Sequence, residues 1–334
     1  MIVPGRVPWE ADIVRLLVLA AALGLCACKP RADAPAEAPP PAAPRQEAVR
    51  SRGEAPPSPE ARRLERGRYL VENVLACGAC HTERDWARYG GPVRGAPLSG
   101  ACQDEQWGLP GRVCSPNITS DPEHGIGKWT DAELLRALRE GFGRDGRVLV
   151  PMMPYLVYRE LSDEDAKAVI AWLRQVPPSS KVVPRSSLPE EMMSALDGLA
   201  SPLPGPVPPP ADDPVSRGRY LTQVAQCAAC HAGMDEEGTP FVGGRPMPTP
   251  YAPEVASNLT PHAQGLHTLS EEAFIARFAA FRDLAPAPSA QGQVNKLVMP
   301  WGFFAGLSQD DLRAMYRYLQ TVPAAASARA ADAP

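Results

Sequence analysis

One pentapeptide pattern occurs twice in this chain, as Cys77-Gly78-Ala79-Cys80-His81 and as Cys227-Ala228-Ala229-Cys230-His231. Each copy sits in the same longer order of elements. Arg66-Gly67-Arg68-Tyr69-Leu70 precedes the first, and Arg217-Gly218-Arg219-Tyr220-Leu221 precedes the second, one residue closer. Met153-Pro154-Tyr155 and Leu161-Ser162-Asp163-Glu164-Asp165 follow the first copy. Met299-Pro300-Trp301 and Leu307-Ser308-Gln309-Asp310-Asp311 follow the second. A shared order this long means tandem duplication of one unit.

The periodicity inside each unit is helical. Ser162 is a good N-cap with an acid, Asp165, at the capping-box position, and Ala166, Val169, Ile170 and Leu173 fall at i, i+3, i+4 and i+7. Ser308 followed by Leu312, Met315, Tyr316 and Leu319 repeats that stripe. Pro177 and Pro178 stop the first helix and Pro323 the second. Thr130-Asp131-Ala132-Glu133 reads as a capping box opening a helix that carries Leu134, Leu135 and Leu138 and closes at Gly141. Ser270 opens its counterpart, with Phe274, Ile275 and Phe278. Gly67 and Gly218 would let two helices approach closely where they cross. The pairs Glu164/Asp165 and Asp310/Asp311 read as solvated charges at helix starts. Strand signals are few. The expected fold is therefore all-α: two tandem helical domains with long loops, residues 61–178 and 215–325. A linker over residues 179–214 joins them, with a short helical turn near 190–199 and a stiff proline-rich spacer from 202 to 214.

The pentapeptide has a chemical rationale. Two cysteines three positions apart can reach the two vinyl groups of one porphyrin as thioethers, and the next histidine then lies under the ring to bind iron. C-x-x-C-H is the attachment signature of c-type haem. The residues expected to hold two covalently bound c-type haems are Cys77 and Cys80, and Cys227 and Cys230, with His81 and His231 as axial ligands. A haem would also complete the core of such a small helical unit. The opposite ligand decides the chemistry, because a methionine thioether closes the iron and raises its potential, whereas an open position admits peroxide or oxygen. Met153 and Met299 recur as Met-Pro-aromatic after each motif and are the candidates. Met152 competes with Met153 but has no repeat partner. Met192 and Met193 fall in the linker, and Met247 comes too early in its unit.

The ends of the chain read as export and tethering. Arg6 and Arg15 precede an apolar run over residues 16–25, the length of a signal-peptide core. That run ends Leu25-Cys26-Ala27-Cys28, which resembles a bacterial lipobox with Cys28 as the lipidated residue; ordinary cleavage nearby, leaving a free protein, is the alternative. The expected order is a signal peptide over residues 1–28, a disordered Pro/Ala-rich tether over 29–60 and a disordered tail over 326–334. Such a chain would be exported to the periplasm and lipid-anchored to a cell membrane. Of eight cysteines, only Cys102 and Cys114 remain, and export makes a disulfide between them plausible, against two unpaired thiols. With a net charge of -4 and no basic patch, nucleic-acid binding has no support. The 40 prolines cluster in two stretches, which argues for linkers within a folded chain. His124, His262 and His267 are not in ligand spacing and read as loop or surface residues.

Taken together, these residues resemble class I, mitochondrial-type c-type cytochromes in tandem. They resemble more closely the cytochrome subunits of membrane-associated alcohol, aldehyde and gluconate dehydrogenases. The likeness is carried by Gly67 to Leu70, the first pentapeptide with Thr82, Asn117-Ile118-Thr119-Ser120-Asp121-Pro122, Gly125-Ile126-Gly127 with Trp129, and Asp145-Gly146-Arg147. The second unit keeps Ser257-Asn258-Leu259-Thr260-Pro261 but lacks the Gly-Ile-Gly element. The resemblance covers residues 62–325. It implies His/Met ligation at His81/Met153 and His231/Met299. Such a chain would be an electron carrier rather than an enzyme, passing single electrons from a dehydrogenase donor to an oxidase or another cytochrome. Those dehydrogenase subunits commonly carry three haem domains, and this chain has two, so the resemblance does not name the dehydrogenase. A di-haem peroxidase with one open haem is the alternative reading. A thiol–disulfide oxidoreductase is a weaker one, since no βαβ pattern surrounds either motif.

Overall fold

In the computed structural model, residues 56–85, 91–103, 111–196, 198–234, 238–247, 254–282 and 299–327 are described. The expected signal segment with Cys28, most of the tether and most of the tail lie outside the described residues.

The first repeat opens with α1 (Pro59–Tyr69), where Ser58 Oγ accepts from the Ala61 N–H and Pro59 starts the helix. The helix thus takes in the last two residues assigned to the tether. It runs on as a π-helical turn, Leu70–Val74, closed by Leu75 N–H to Leu70 O at 2.8 Å. Cys77–Ala79 forms one 3-10 turn. Then come β1 (Ala101–Gln103), β2 (Val113–Ser115), α2 (Asp131–Glu140), α3 (Tyr155–Tyr158) and α4 (Asp163–Leu173). The Thr130/Glu133 capping box forms, and Gly141 closes α2 at φ 82°. After α5 (Glu190–Ala195) the order repeats: α6 (Pro214–Val224), α7 (Cys227–His231), β3 (Pro246–Met247), β4 (Glu254–Val255), α8 (Glu271–Ala279), α9 (Trp301–Phe304) and α10 (Gln309–Leu319). The stretch from Gly67 to Cys77 is one residue longer than that from Gly218 to Cys227. The π turn absorbs that residue, whereas α6 stays α-helical to its end.

Each repeat is built on one helix crossing. α1 packs on α4, and α6 on α10, with glycine at both crossings. A Cβ at Gly67 would lie 1.9 Å from Ala168 O, and one at Gly218 would lie 1.9 Å from Ala314 O. Leu70, Leu161 and Val169 are fully buried beside the first crossing, and Leu221, Leu307, Leu312 and Leu319 beside the second.

Three expectations change. The fold is not purely helical: β1 pairs antiparallel with β2, and β3 with β4. These ribbons are two or three residues long, too short to show an alternating pattern in the sequence. The linker is also more than a stiff spacer. Asn117 Nδ2 donates to Ser179 O and Lys181 O at 2.7 and 3.1 Å. Arg112 and Ser187 exchange backbone bonds, Arg159 Nη1 donates to Ser201 O at 2.7 Å, and Asp163 N–H donates to Val207 O at 2.9 Å. The segment is strapped along the first repeat as far as Val207. Finally, only one acid of each helix-start pair is solvated. Glu164 and Asp310 are exposed, but Asp165 and Asp311 are buried.

Those two buried carboxylates lock the repeats together. Asp165 takes a two-pronged ion pair from Arg66 of its own repeat, at 2.8 and 2.7 Å, and a 2.7 Å hydrogen bond from Tyr220 Oη of the other. Asp311 is paired with Arg217 of its own repeat and accepts from Tyr69 Oη of the other at 2.6 Å. Each tyrosine also accepts the N–H of the opposite helix cap, from Ser162 to Tyr220 and from Ser308 to Tyr69. The arrangement is reciprocal, and both repeats belong to one compact unit.

Candidate functional site

The two pentapeptides are held by the same frame. Each follows a residue with left-handed backbone, Ala76 at φ 48° and Gln226 at φ 62°, which breaks the opening helix and turns the chain into the motif. The four cysteines are free thiols, although both pairs are close in sequence. Burial pushes the Cys77 and Cys227 thiols up to about 12. A redox dithiol needs the opposite shift, toward a reactive thiolate.

Both histidine rings are oriented by a main-chain carbonyl. His81 Nδ1 lies 2.8 Å from Pro116 O, and His231 Nδ1 lies 2.6 Å from Ser257 O. A carbonyl only accepts, so Nδ1 carries the proton and Nε2 keeps its lone pair for a metal. Burial lowers both histidine pKa values, and the carbonyl contact offsets this only in part, so the rings are neutral. The role of the Pro116 and Ser257 carbonyls was not read from the sequence, but the Asn that follows each of them was singled out. Asn117 Oδ1 accepts from Thr119 N–H and Oγ1, at 3.0 and 2.7 Å, and Asn258 Oδ1 does the same for Thr260 at 2.8 and 2.7 Å. The recurring Asn-x-Thr therefore fixes the loop that presents the carbonyl to the histidine.

Met153 and Met299 occupy equivalent turns. Tyr155 N–H donates to Met153 O, and Trp301 N–H to Met299 O, both at 2.7 Å. The intervening prolines sit at φ -81°, ψ 50° and φ -76°, ψ 59°. These are inverse γ-turns centred on a residue whose ring already fixes φ. Both methionines are half-buried and pack against the core, whereas Met152 is exposed. Met192 and Met193 are exposed on α5, and Met247 lies in β3. Cys102 and Cys114 face each other across β1 and β2 and form a disulfide.

The donor sets fit a covalently attached porphyrin iron. Thiols stand free for thioether bonds, and each neutral imidazole keeps Nε2 available. Tyr155 Oη and Arg245 Nε are among five buried polar atoms, with Arg139 Nε and Nη2 and Gln320 Nε2, that have no hydrogen-bond partner among the described residues. Tyr155 directly follows the Met153-Pro154 turn, and Arg245 lies near Cys230.

The cytochrome c family model matches residues 64–177. Those residues form a cytochrome c domain. Such a domain carries covalent c-type haem. The chain is similar to the cytochrome c subunit of the quinone alcohol dehydrogenase of Gluconobacter oxydans, with 31% identity over 283 residues, 78% of this chain and 55% of that subunit. It is similar to a diheme cytochrome c-type protein of Cereibacter sphaeroides, with 29% identity over 259 residues, 74% of this chain and 82% of that protein. The cytochrome c subunit of the gluconate 2-dehydrogenase of Pantoea cypripedii is 33% identical over 182 residues, 50% of this chain and 37% of that subunit. The chain thus spans about half the length of the alcohol dehydrogenase subunit. No described helix is long and apolar enough to cross a membrane.

Proposed function

We propose that this chain is a di-haem electron carrier, exported and tethered, serving a dehydrogenase. The observation that carries the reading is the repeated frame: each C-x-x-C-H histidine is held by its Nδ1, and each repeat offers one half-buried methionine in a proline-centred turn. In this reading Cys77 and Cys80 bind one haem, with His81 and Met153 on its iron. Cys227 and Cys230 bind the other, with His231 and Met299. Bound haem supplies a one-electron couple, and a thioether ligand favours the reduced form. The protein's part is to hold both ligands, exclude water and fix the distance between the sites. Because the two frames match, a peroxidase with one open iron is the less favoured reading. Electrons would come from a dehydrogenase and leave to a respiratory oxidase or another cytochrome. The sequence around Cys28 supports a lipid anchor at the membrane, with residues 29–58 as its tether.

Mass spectrometry should find two covalent haems, and the oxidised spectrum should show only low-spin iron with the weak thioether-to-iron band at the red end. Met153→Ala and Met299→Ala should each convert one haem to a high-spin form. A wild-type high-spin haem that reacts with peroxide, or low-spin character kept in both variants, would overturn the ligand assignment. Labelling with palmitate, lost in Cys28→Ala, tests the anchor.

A further inference from the structure

Among the described residues, one polar bridge joins the two haem-attachment segments. Tyr158 is the last residue of α3 and is buried. Its hydroxyl donates to Leu75 O at 3.2 Å, and it accepts from Gln226 Nε2 at 3.3 Å. Leu75 lies two residues before Cys77, and Gln226 lies immediately before Cys227. The connection therefore runs from Cys77 along the backbone to Leu75 O, across the Tyr158 phenol, along the Gln226 side chain and into Cys227. Every step is a covalent bond or a hydrogen bond.

Among the described residues the bridge occurs once. The repeat places Phe304 where Tyr158 stands and Ala76 where Gln226 stands, and neither side chain can make such a bond. The neighbouring Phe303 meets the first motif through its ring alone: the Arg84 guanidinium lies 4.5 Å from its centroid, and the ring borders Gly78. Helix crossings, ribbons and carboxylate locks are duplicated in both repeats, but this link is not. Folding symmetry therefore does not explain it.

We propose that Tyr158 and Gln226 are positioning residues for electron exchange between the two haems, giving a bonded route between their attachment cysteines. The proposal rests on the di-haem reading above. Electron tunnelling decays less steeply along covalent and hydrogen bonds than across van der Waals gaps. Removing the phenolic oxygen leaves such a gap on both sides of the ring.

The test uses the full chain with both haems. In half-reduced protein, exchange between the haems is read from the broadening of the paramagnetically shifted haem methyl resonances in proton NMR. Potentials are measured on the same samples. Tyr158→Phe keeps the ring, and Gln226→Asn keeps a residue tolerant of left-handed backbone while shortening its reach. Both should slow exchange several-fold, with optical spectra and both potentials unchanged. Tyr69→Phe cuts an inter-repeat hydrogen bond away from the attachment segments and should leave exchange unchanged. Unaltered exchange in Tyr158→Phe, or equal slowing in Tyr69→Phe, would overturn the proposal while leaving the carrier reading standing. Fewer than two haems in the wild-type protein would overturn the carrier reading itself.

Discussion

Tyr69 of the first repeat donates a 2.6 Å hydrogen bond to Asp311 of the second, and Tyr220 makes the mirror contact to Asp165 at 2.7 Å. Each carboxylate is thus shared between an arginine of its own repeat and a tyrosine of the other. Neither half of the chain satisfies its own buried acid fully. The duplicated unit is in this sense completed by its copy.

Tyr69→Phe removes a charge-assisted bond to Asp311 and the acceptor for the Ser308 N–H. Each such bond contributes about 1.5–3 kcal/mol, so the variant should lose stability on that order in urea denaturation. Tyr220→Phe should cost about the same. Because the two locks hold one interface, the double variant should depart from additivity. Strict additivity would mean that the locks act independently.

The same tyrosines set an alkaline limit. Burial first, and the facing carboxylates next, hold both hydroxyls above the ordinary value of 10.0. The unfolded chain therefore ionises before the folded one as pH rises. The stabilisation is fully present below about pH 10 and is lost as the pH climbs past it toward the raised folded values. The urea midpoint should fall above that point, and the fall should be shallower in the Tyr69→Phe/Tyr220→Phe variant. Identical profiles would contradict the contact.

Gly67→Ala and Gly218→Ala place a methyl group 1.9 Å from a main-chain oxygen, where no side chain can swing away. The helices must separate at their crossing. Overpacking of this kind costs about 1–3 kcal/mol and often more when backbone must move. Loss of stability in both variants, read by thermal unfolding, is the expected result. Gly146→Ala is a control for backbone strain alone, since that glycine has φ 81° but nothing within 4 Å.

The first repeat carries a disulfide where the second carries an arginine. Gly100 N–H bonds to His81 O and Gly243 N–H to His231 O, so Cys102 and Arg245 are equivalent positions. Closing a loop with a sequence separation of 12, the Cys102–Cys114 bond should contribute about 2–3 kcal/mol through the unfolded state. Cys102→Ser/Cys114→Ser should lower stability by that amount. Reductant should then destabilise the wild-type protein but not the variant. A variant as stable as the parent would remove the disulfide from the account.

Much of the site was legible because its chemistry is local. The spacing of Cys77, Cys80 and His81 is a feature of five consecutive residues, and the Met-Pro-aromatic turn of three. Helix caps at Thr130, Ser162, Ser270 and Ser308 are equally local, and the duplication made each easier to see. The carbonyls of Pro116 and Ser257 were not legible, because a main-chain oxygen has no residue type to mark it. Only the Asn-x-Thr that follows it leaves a trace.

The acids at positions 165 and 311 show where sequence reading stops. A helix-start aspartate looks the same whether it faces water or a tyrosine from another part of the chain. What the linker lies against was unreadable for the same reason: prolines stiffen a segment but do not say what packs beside it. The sequence by itself determined that one order of elements occurs twice and where each copy carries its Cys-x-x-Cys-His and Met-Pro-aromatic residues, since these follow from spacing along the chain. Tertiary structure alone decided that the units interlock through Tyr69 and Tyr220 and that one phenol joins their attachment segments. Those contacts join residues 242, 55 and 83 positions apart, from Tyr69 to Asp311, Asp165 to Tyr220 and Leu75 to Tyr158. Separations of that size are closed by packing, and no local pattern encodes them.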